Sequence, residues 1–267
     1  FRAIYLGFFF NVMILATVSL AAIKMGSIML GLQPWQTLLY ASVITVIYSA
    51  MGGLRGVIIT DFFQFGIAMA GSIIAAIVIM QLPQVGGVRQ LLSHPEVQAK
   101  LNILPNLSDP DQLWSLLILP LAIQWWSVWY PGAEPGGGGY IAQRMLAAKD
   151  ENHAVGATML FNAAHYALRP WPWILIALAS LVVFPQLEHI QSAFPQIPVD
   201  KIGHDLGYPA MLTFLPHGLL GLVVASLIAA FMSTLSTQLN WGSSYLVNDF
   251  YRRFINPNAS EKQLVSA

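Results

Sequence analysis

Six stretches of this chain are long and apolar enough to lie in a bilayer, and no other feature limits its fold as strongly. Crossing the hydrocarbon core takes about 20 mostly apolar residues in helical form. The stretches run from Ile4 to Leu30, Trp35 to Met51, Val57 to Leu82, Leu113 to Tyr130, Val155 to Phe184 and Leu219 to Val247. The second and fourth are short, and the last two are long enough to tilt. Barrel strands would show shorter, alternating runs. The expected fold class is therefore all-α: a polytopic membrane protein with about six transmembrane helices. Charge agrees, at 9% of 267 residues against about a quarter in an ordinary soluble domain.

Composition also removes several classes of function. Twelve Lys and Arg balance twelve Asp and Glu with no basic patch, so nucleic acid is not an expected partner. The absence of cysteine excludes disulfides, thiolate metal sites and cysteine catalysis. The six histidines are scattered, with neither a His-x-x-x-His pair nor a nucleophile elbow, so the chain is not expected to be an enzyme. Phe1 is not an initiator methionine and the chain enters a span almost at once. The expectation is an internal piece of a longer protein, a single transmembrane domain over 1–267 that is incomplete at both ends.

Loop charges give an orientation. With Arg2 inside, the inner side collects Arg2, Arg55, Arg144, Lys149, Arg252, Arg253 and Lys262, and the outer side only Arg89, Lys100 and Lys201. That asymmetry obeys the positive-inside rule. It places the connections 83–112 and 185–218 outside as extracytoplasmic loops, with a short helix expected around Val88 to Lys100. The expected location is the plasma (inner) membrane, with the lipid bilayer as a partner.

Polar groups at membrane depth are costly and tend to face a bundle interior or a solute route. Gly52-Gly53 joins the second and third spans through almost no loop and reads as a hinge at a tight reversal. Asp61 then lies about two turns into the next helix, beside Thr60 and three residues before Gln64. It reads either as an interfacial carboxylate or as part of a cation or proton route. In the last span Ser233, Thr234, Ser236 and Thr237 follow Ala229-Ala230. Such hydroxyls can serve packing and back-bonding. Equally, the Ala230 carbonyl with hydroxyls at i+3 and i+4 converges on one point, and neutral oxygens suit a monovalent ion that must also leave. Lys24 is within reach of a membrane face by snorkelling. Arg169 sits mid-span beside Pro170 and Pro172, one turn after His165, with structural and functional roles both open.

Three stretches, Tyr48 to Gln64, Tyr140 to Lys149 and Leu227 to Tyr251, together resemble the sodium/solute symporter family, which includes sodium/glucose and sodium/proline cotransporters. The resemblance implies a five-plus-five inverted-repeat fold with sites near the membrane midplane, of which this chain looks like core helices three to eight. It implies sodium-coupled symport of a small organic solute by alternating access, with Na+ as coupling ion and no other cofactor. It also implies a sodium site at the Ala230 carbonyl and the Ser233 and Thr234 hydroxyls, and a role for Asp61 in ion access or coupling without direct ligation. The remaining sodium ligands in the family are carbonyls of core helix one, so the piece alone is not expected to transport. Counting back from Tyr140, the sugar-binding positions fall at Pro131, Glu134 and Pro135. The stretch then reads either as the cytoplasmic loop before Arg144 or as a candidate substrate cavity, with Glu134 in it, Trp125 and Trp126 as aromatic walls, and His165 near the family's helix-seven lysine position. Glu134 would admit a charged or amine-bearing solute. The competing readings are a proton-coupled carrier and a symporter-like sensory module without net transport.

Overall fold

The computed structural model describes residues 4–102, 104–124 and 139–266, and among these it contains helices and no strands. The candidate residues Trp125, Trp126 and Glu134 lie outside the described residues. The α-helices are α1 (Asn11–Leu30), α2 (Pro34–Met80), α3 (Val88–Ser93), α4 (Pro95–Gln98), α5 (Pro110–Gln112), α6 (Gly139–Leu146), α7 (Glu151–Asn162), α8 (Pro170–Val183), α9 (Leu187–Ala193), α10 (Gly207–Leu212), α11 (His217–Tyr245) and α12 (Glu261–Ser266). Stretches of π-helix extend four of these runs, at Tyr5–Phe10, Leu113–Ile118 with Pro120–Gln124, Ala163–Leu168 and Leu246–Ile255.

Among the described residues, four helical runs are long and apolar enough to cross a membrane: Tyr5–Leu30, Leu54–Met80, Glu151–Val183 and His217–Ile255. Two shorter apolar stretches, Pro34–Ile47 at the start of α2 and Pro110–Ile123, overlap the two short spans expected from the sequence. Large apolar side chains such as Ile44, Ile47, Phe62 and Phe63 stand exposed along these helices. On a water-soluble surface that would be an aggregation hazard, whereas against lipid it is ordinary.

One expectation needs correction. Gly52 and Gly53 make no reversal, because α2 runs unbroken through them for 47 residues, about 70 Å at 1.5 Å per residue. No proline interrupts Trp35 to Leu82. A helical glycine costs about 1 kcal/mol relative to alanine, while a reversal would cut the run in two and leave new helix ends with unpaired N–H and C=O groups. The helix is the cheaper solution, and the two glycines are not a turn here. Chain reversals occur instead where left-handed glycines stand, Gly31 (φ 63°) after α1 and Gly86 and Gly87 (φ 67° and 89°) after α2.

Within the single domain expected from the sequence, contacts gather into two compact units. One comprises Phe1–Phe10, Gln98–Met159 and Trp241–Ala267. There Gly7 lies against Tyr245, where an added Cβ would stand 2.7 Å from the tyrosine Cβ. The other comprises Asn11–Val97 and Leu160–Asn240. Its main core joins Ala75, Ala76 and Ile79 of α2, Ile176 and Ala179 of α8, Met211 and Leu212 of α10 and Val223 of α11. Lipid offers no hydrophobic drive between helices, so small residues that allow close approach carry the packing. Gly71, 3.4 Å from the Ser226 hydroxyl by its virtual Cβ, does so between α2 and α11.

The connection 185–218 is also more ordered than a plain loop. It folds into α9, two 3-10 turns and α10, and buries Ile190, Phe194, Ile197, Leu206 and Ala210 against Ile28 of α1. Lys24 pairs there with Asp205, Nζ to Oδ2 at 2.5 Å. Lys24 therefore meets a specific carboxylate on this connection.

Candidate ion-binding site

Helices α2 and α11 run antiparallel, since Asp61 faces Ser233 and Thr237 while Gly71, ten residues on, faces Ser226 and Val223. This register brings the acidic motif of α2 to the hydroxyl ladder of α11. The Ser233 hydroxyl donates to Asp61 Oδ1 at 2.6 Å, and the Thr237 hydroxyl reaches Oδ2 at 3.4 Å. Ser233 and Thr237 are four residues apart and share one helix face. Asp61 is half-buried, while Phe62 and Phe63 beside it are 69% and 66% exposed. The helix thus turns its carboxylate inward and its aromatics to the bilayer.

The three expected sodium ligands lie on one turn. The Thr234 hydroxyl donates to the Ala230 carbonyl at 3.2 Å, and Ser233 stands next to it in sequence. A hydroxyl that gives its proton to a carboxylate keeps its lone pairs for a cation, because Ser and Thr hydroxyls offer one donor and two acceptor sites. Asp61 therefore makes Ser233 an acceptor toward the ion. Ser236 is fully buried and donates to the Ser233 carbonyl at 3.0 Å, a back-bond within α11. Thr60 likewise bonds the Gly56 and Val57 carbonyls of its own helix. Gln64, one turn beyond Asp61, buries an amide oxygen that makes no hydrogen bond.

Two further polar contacts escape a reading by sequence. Asn11 at the start of α1 is buried and donates from Nδ2 to the Gln238 carbonyl of α11 at 2.7 Å. Arg169 lies with its guanidinium carbon 4.7 Å over the Trp173 ring, and the Trp173 indole N–H donates to Ser72 of α2 at 3.2 Å. A charged or amide residue interrupting an apolar run was the available signal for both. His165 stacks on Phe161 at 5.2 Å between ring centres and meets Tyr166 edge-on. These two contacts are aromatic, and they join His165 to neither Asp61 nor the α11 hydroxyls.

The model of the sodium:solute symporter family matches residues 3–267. The chain belongs to that family. It is 29% identical to the sodium/mannose cotransporter SLC5A10 of Bos taurus over 83% of this chain and 39% of that protein. With sodium/myo-inositol cotransporter 2 of Mus musculus it shares 30% identity over 83% of this chain and 34% of the other. With the sodium/myo-inositol cotransporter of the same species the figures are 31%, 85% and 35%. The chain thus spans roughly a third of the length of the curated relatives it matches. Among solved structures, a Na+-coupled sialic acid symporter in its substrate-bound outward-open state superposes with a TM-score of 0.72 at 22% identity, over 99% of this chain and 53% of that one. That likeness establishes the transporter fold, and the family with the apolar helices makes this a multi-pass integral membrane chain.

Proposed function

We propose that this chain forms part of a sodium-coupled symporter, with Na+ as cargo held at the Ala230 carbonyl and the Ser233 and Thr234 hydroxyls. The observation that carries the reading is the Asp61–Ser233 contact, in which a membrane-depth carboxylate takes the proton of an expected sodium ligand. Asp61 acts through Ser233: it orients the hydroxyl and supplies the negative charge that draws a cation into the site. Thr237 holds the second carboxylate oxygen. Entry of sodium stabilises the outward-open state, and its downhill release inward carries a small organic solute by alternating access. On this reading the remaining sodium ligands come from another core helix, and the chain by itself does not transport.

The test is the melting temperature of the full-length protein in sodium chloride and in potassium chloride. A ligand at 100 times its dissociation constant adds about 2.7 kcal/mol of stability. A sodium-specific rise that is lost in Ser233→Ala and Thr234→Ala is expected. A response that is absent, or that survives both substitutions, would instead favour proton coupling or a sensory module.

A further inference from the structure

The apolar stretch of α11 closes at Val247, and its π-helical continuation Leu246–Ile255 carries Tyr251, Arg252 and Arg253 one turn beyond. Phe250, Phe254 and Ile255 stand exposed on this segment, as do both arginines. Phe250 and Phe254 lie 5.7 Å apart between ring centres, and the Arg253 guanidinium carbon stands 5.7 Å over the Phe254 ring. Exposed aromatics interleaved with cations just past an apolar run fit the boundary between acyl chains and headgroups.

The chain folds back on that boundary. The Asn256 amide donates to the Tyr251 carbonyl at 2.9 Å and closes the π-helical segment. α12 then returns against the segment, with Ala259 and Leu264 buried. A reciprocal cap fixes α12: Gln263 Oε1 accepts from the Ser260 amide at 2.9 Å, and the Ser260 hydroxyl accepts from the Gln263 amide at 3.4 Å. Between the two elements lies an open cleft of about 420 Å³, lined by Tyr251, Ser260, Lys262, Gln263 and Ser266. All five residues belong to one compact unit.

The lining is rich in donors. The hydroxyl protons of Ser260 and Ser266 go to Gln263 Oε1 and to the Lys262 carbonyl. Gln263 uses its oxygen in the cap, which leaves its NH2 group for another acceptor beside the Lys262 ammonium and the Tyr251 hydroxyl. Among the described residues neither Lys262 nor Arg252 makes an ion pair. The acids of this segment, Asp249 and Glu261, do not line the cleft. Three donors and an unpaired cation suit an anion with several acceptor oxygens, and at the headgroup level of a bilayer that anion is phosphate.

We propose that this cleft binds the phosphate of an anionic phospholipid, with Lys262 as its charge partner, Arg252 adding positive charge from the helix end, and Phe250 and Phe254 set among the acyl chains. This goes beyond the symport reading and does not depend on which ion or solute is carried. The test uses the full-length protein in a non-ionic detergent and potassium chloride, so that sodium binding plays no part. Micellar phosphatidylglycerol is expected to raise the melting temperature, and phosphatidylcholine with the same acyl chains is expected to be inert. A basic residue near the surface contributes about fivefold in affinity for an anionic lipid. Lys262→Gln is therefore expected to weaken the apparent affinity for phosphatidylglycerol about fivefold, and its combination with Arg252→Gln about 25-fold. Lys262→Arg is expected to retain the affinity, and unchanged melting in phosphatidylcholine shows that the variants fold. Lys149→Gln removes a basic residue on the same expected side of the membrane but outside the cleft, and is expected to leave the affinity unchanged. The proposal is overturned if phosphatidylglycerol gives no rise beyond phosphatidylcholine, which would show the cleft empty or filled by the protein itself. It is equally overturned if Lys149→Gln weakens binding as much as Lys262→Gln, the mark of diffuse attraction. A rise with glycerol 3-phosphate equal to that with phosphatidylglycerol would overturn it in favour of a soluble phosphate.

Discussion

The Ser233 hydroxyl and the Asp61 carboxylate meet at 2.6 Å across 172 residues of sequence, joining the acid of α2 to the hydroxyl ladder of α11. Because the hydroxyl is the donor, the interaction commits the Ser233 proton to Asp61 and leaves the oxygen basic on its other side. The acid is thereby part of the ion site's electronics without itself having to touch the ion.

Asp61→Asn preserves the shape and one acceptor oxygen but removes the charge. Hydrogen bonds to charged groups contribute about 1.5–3 kcal/mol, and about 1.4 kcal/mol is tenfold in affinity. The apparent sodium affinity, read from thermal shift against sodium concentration, is expected to fall by at least about tenfold. Thr237→Ala, which loses only the 3.4 Å contact, is expected to change it by less than about threefold. Equal effects of the two substitutions would show that the charge is not what matters.

The Lys24–Asp205 pair ties α1 to the folded connection 185–218, but its side chains remain 25% and 56% exposed. Exposed pairs contribute about 0.2–1 kcal/mol and are screened by salt. A double-mutant cycle of Lys24→Ala and Asp205→Ala, melted in potassium chloride to keep sodium out, is expected to give a coupling in that range. The coupling is expected to shrink at high salt. A coupling that ignores salt would mean the pair is desolvated in the native protein.

Asp150 caps α7 from just outside the span. Its Oδ1 accepts from the His153 backbone N–H at 2.9 Å and faces the His153 ring nitrogen at 2.7 Å. The backbone hydrogen bond first, and the side-chain one second, hold this carboxyl below its usual 3.8. A depressed carboxyl contributes stability that is present above its unfolded value and is lost as the pH falls through its folded one. Asp150→Ala is therefore expected to melt below the unmutated protein at neutral pH, with the two curves converging below about pH 3.8. Melting curves across acid pH decide it; a gap that persists there would point to helix propensity instead of the cap.

Much of this architecture was legible because bilayer physics leaves few options. The apolar runs had to be helices, and they appear at the expected places. The π-extended run Tyr5–Leu30 replaces Ile4 to Leu30, and the run Glu151–Val183 contains nearly all of Val155 to Phe184. The hydroxyl ladder was legible as a helix face because i and i+4 positions coincide on any helix. Its pairing with Asp61 was not, since that depends on which turn of α2 meets which turn of α11. Gly52-Gly53 misled because glycine permits a turn without requiring one, and the surrounding residues favour helix more strongly. The connection 185–218 misled in the opposite direction. Its Pro and Asp residues read as loop, whereas Phe194, Ile197 and Leu206 are spaced to bury against α1.

The close approach of α1 to α2 offers a test of the packing itself. A Cβ added at Gly26 would stand 2.5 Å from the Thr37 hydroxyl oxygen and 3.2 Å from its methyl carbon. Thr37 is β-branched, so its χ1 has little freedom to swing away, and the reversal at Gly31 and Pro34 fixes how the two helices approach. Gly26→Ala is expected to destabilise by about 1–3 kcal/mol, the usual cost of overpacking. Thr37→Ala alone removes a buried hydroxyl that makes no hydrogen bond and is expected to cost less. The double substitution is expected to recover most of the loss, because the methyl at residue 26 would then occupy the space that the Thr37 side chain vacates. Thermal melts of the four proteins in the cycle decide it. Additive losses without recovery would show that the Gly26 position matters for backbone conformation and not for the fit between α1 and α2.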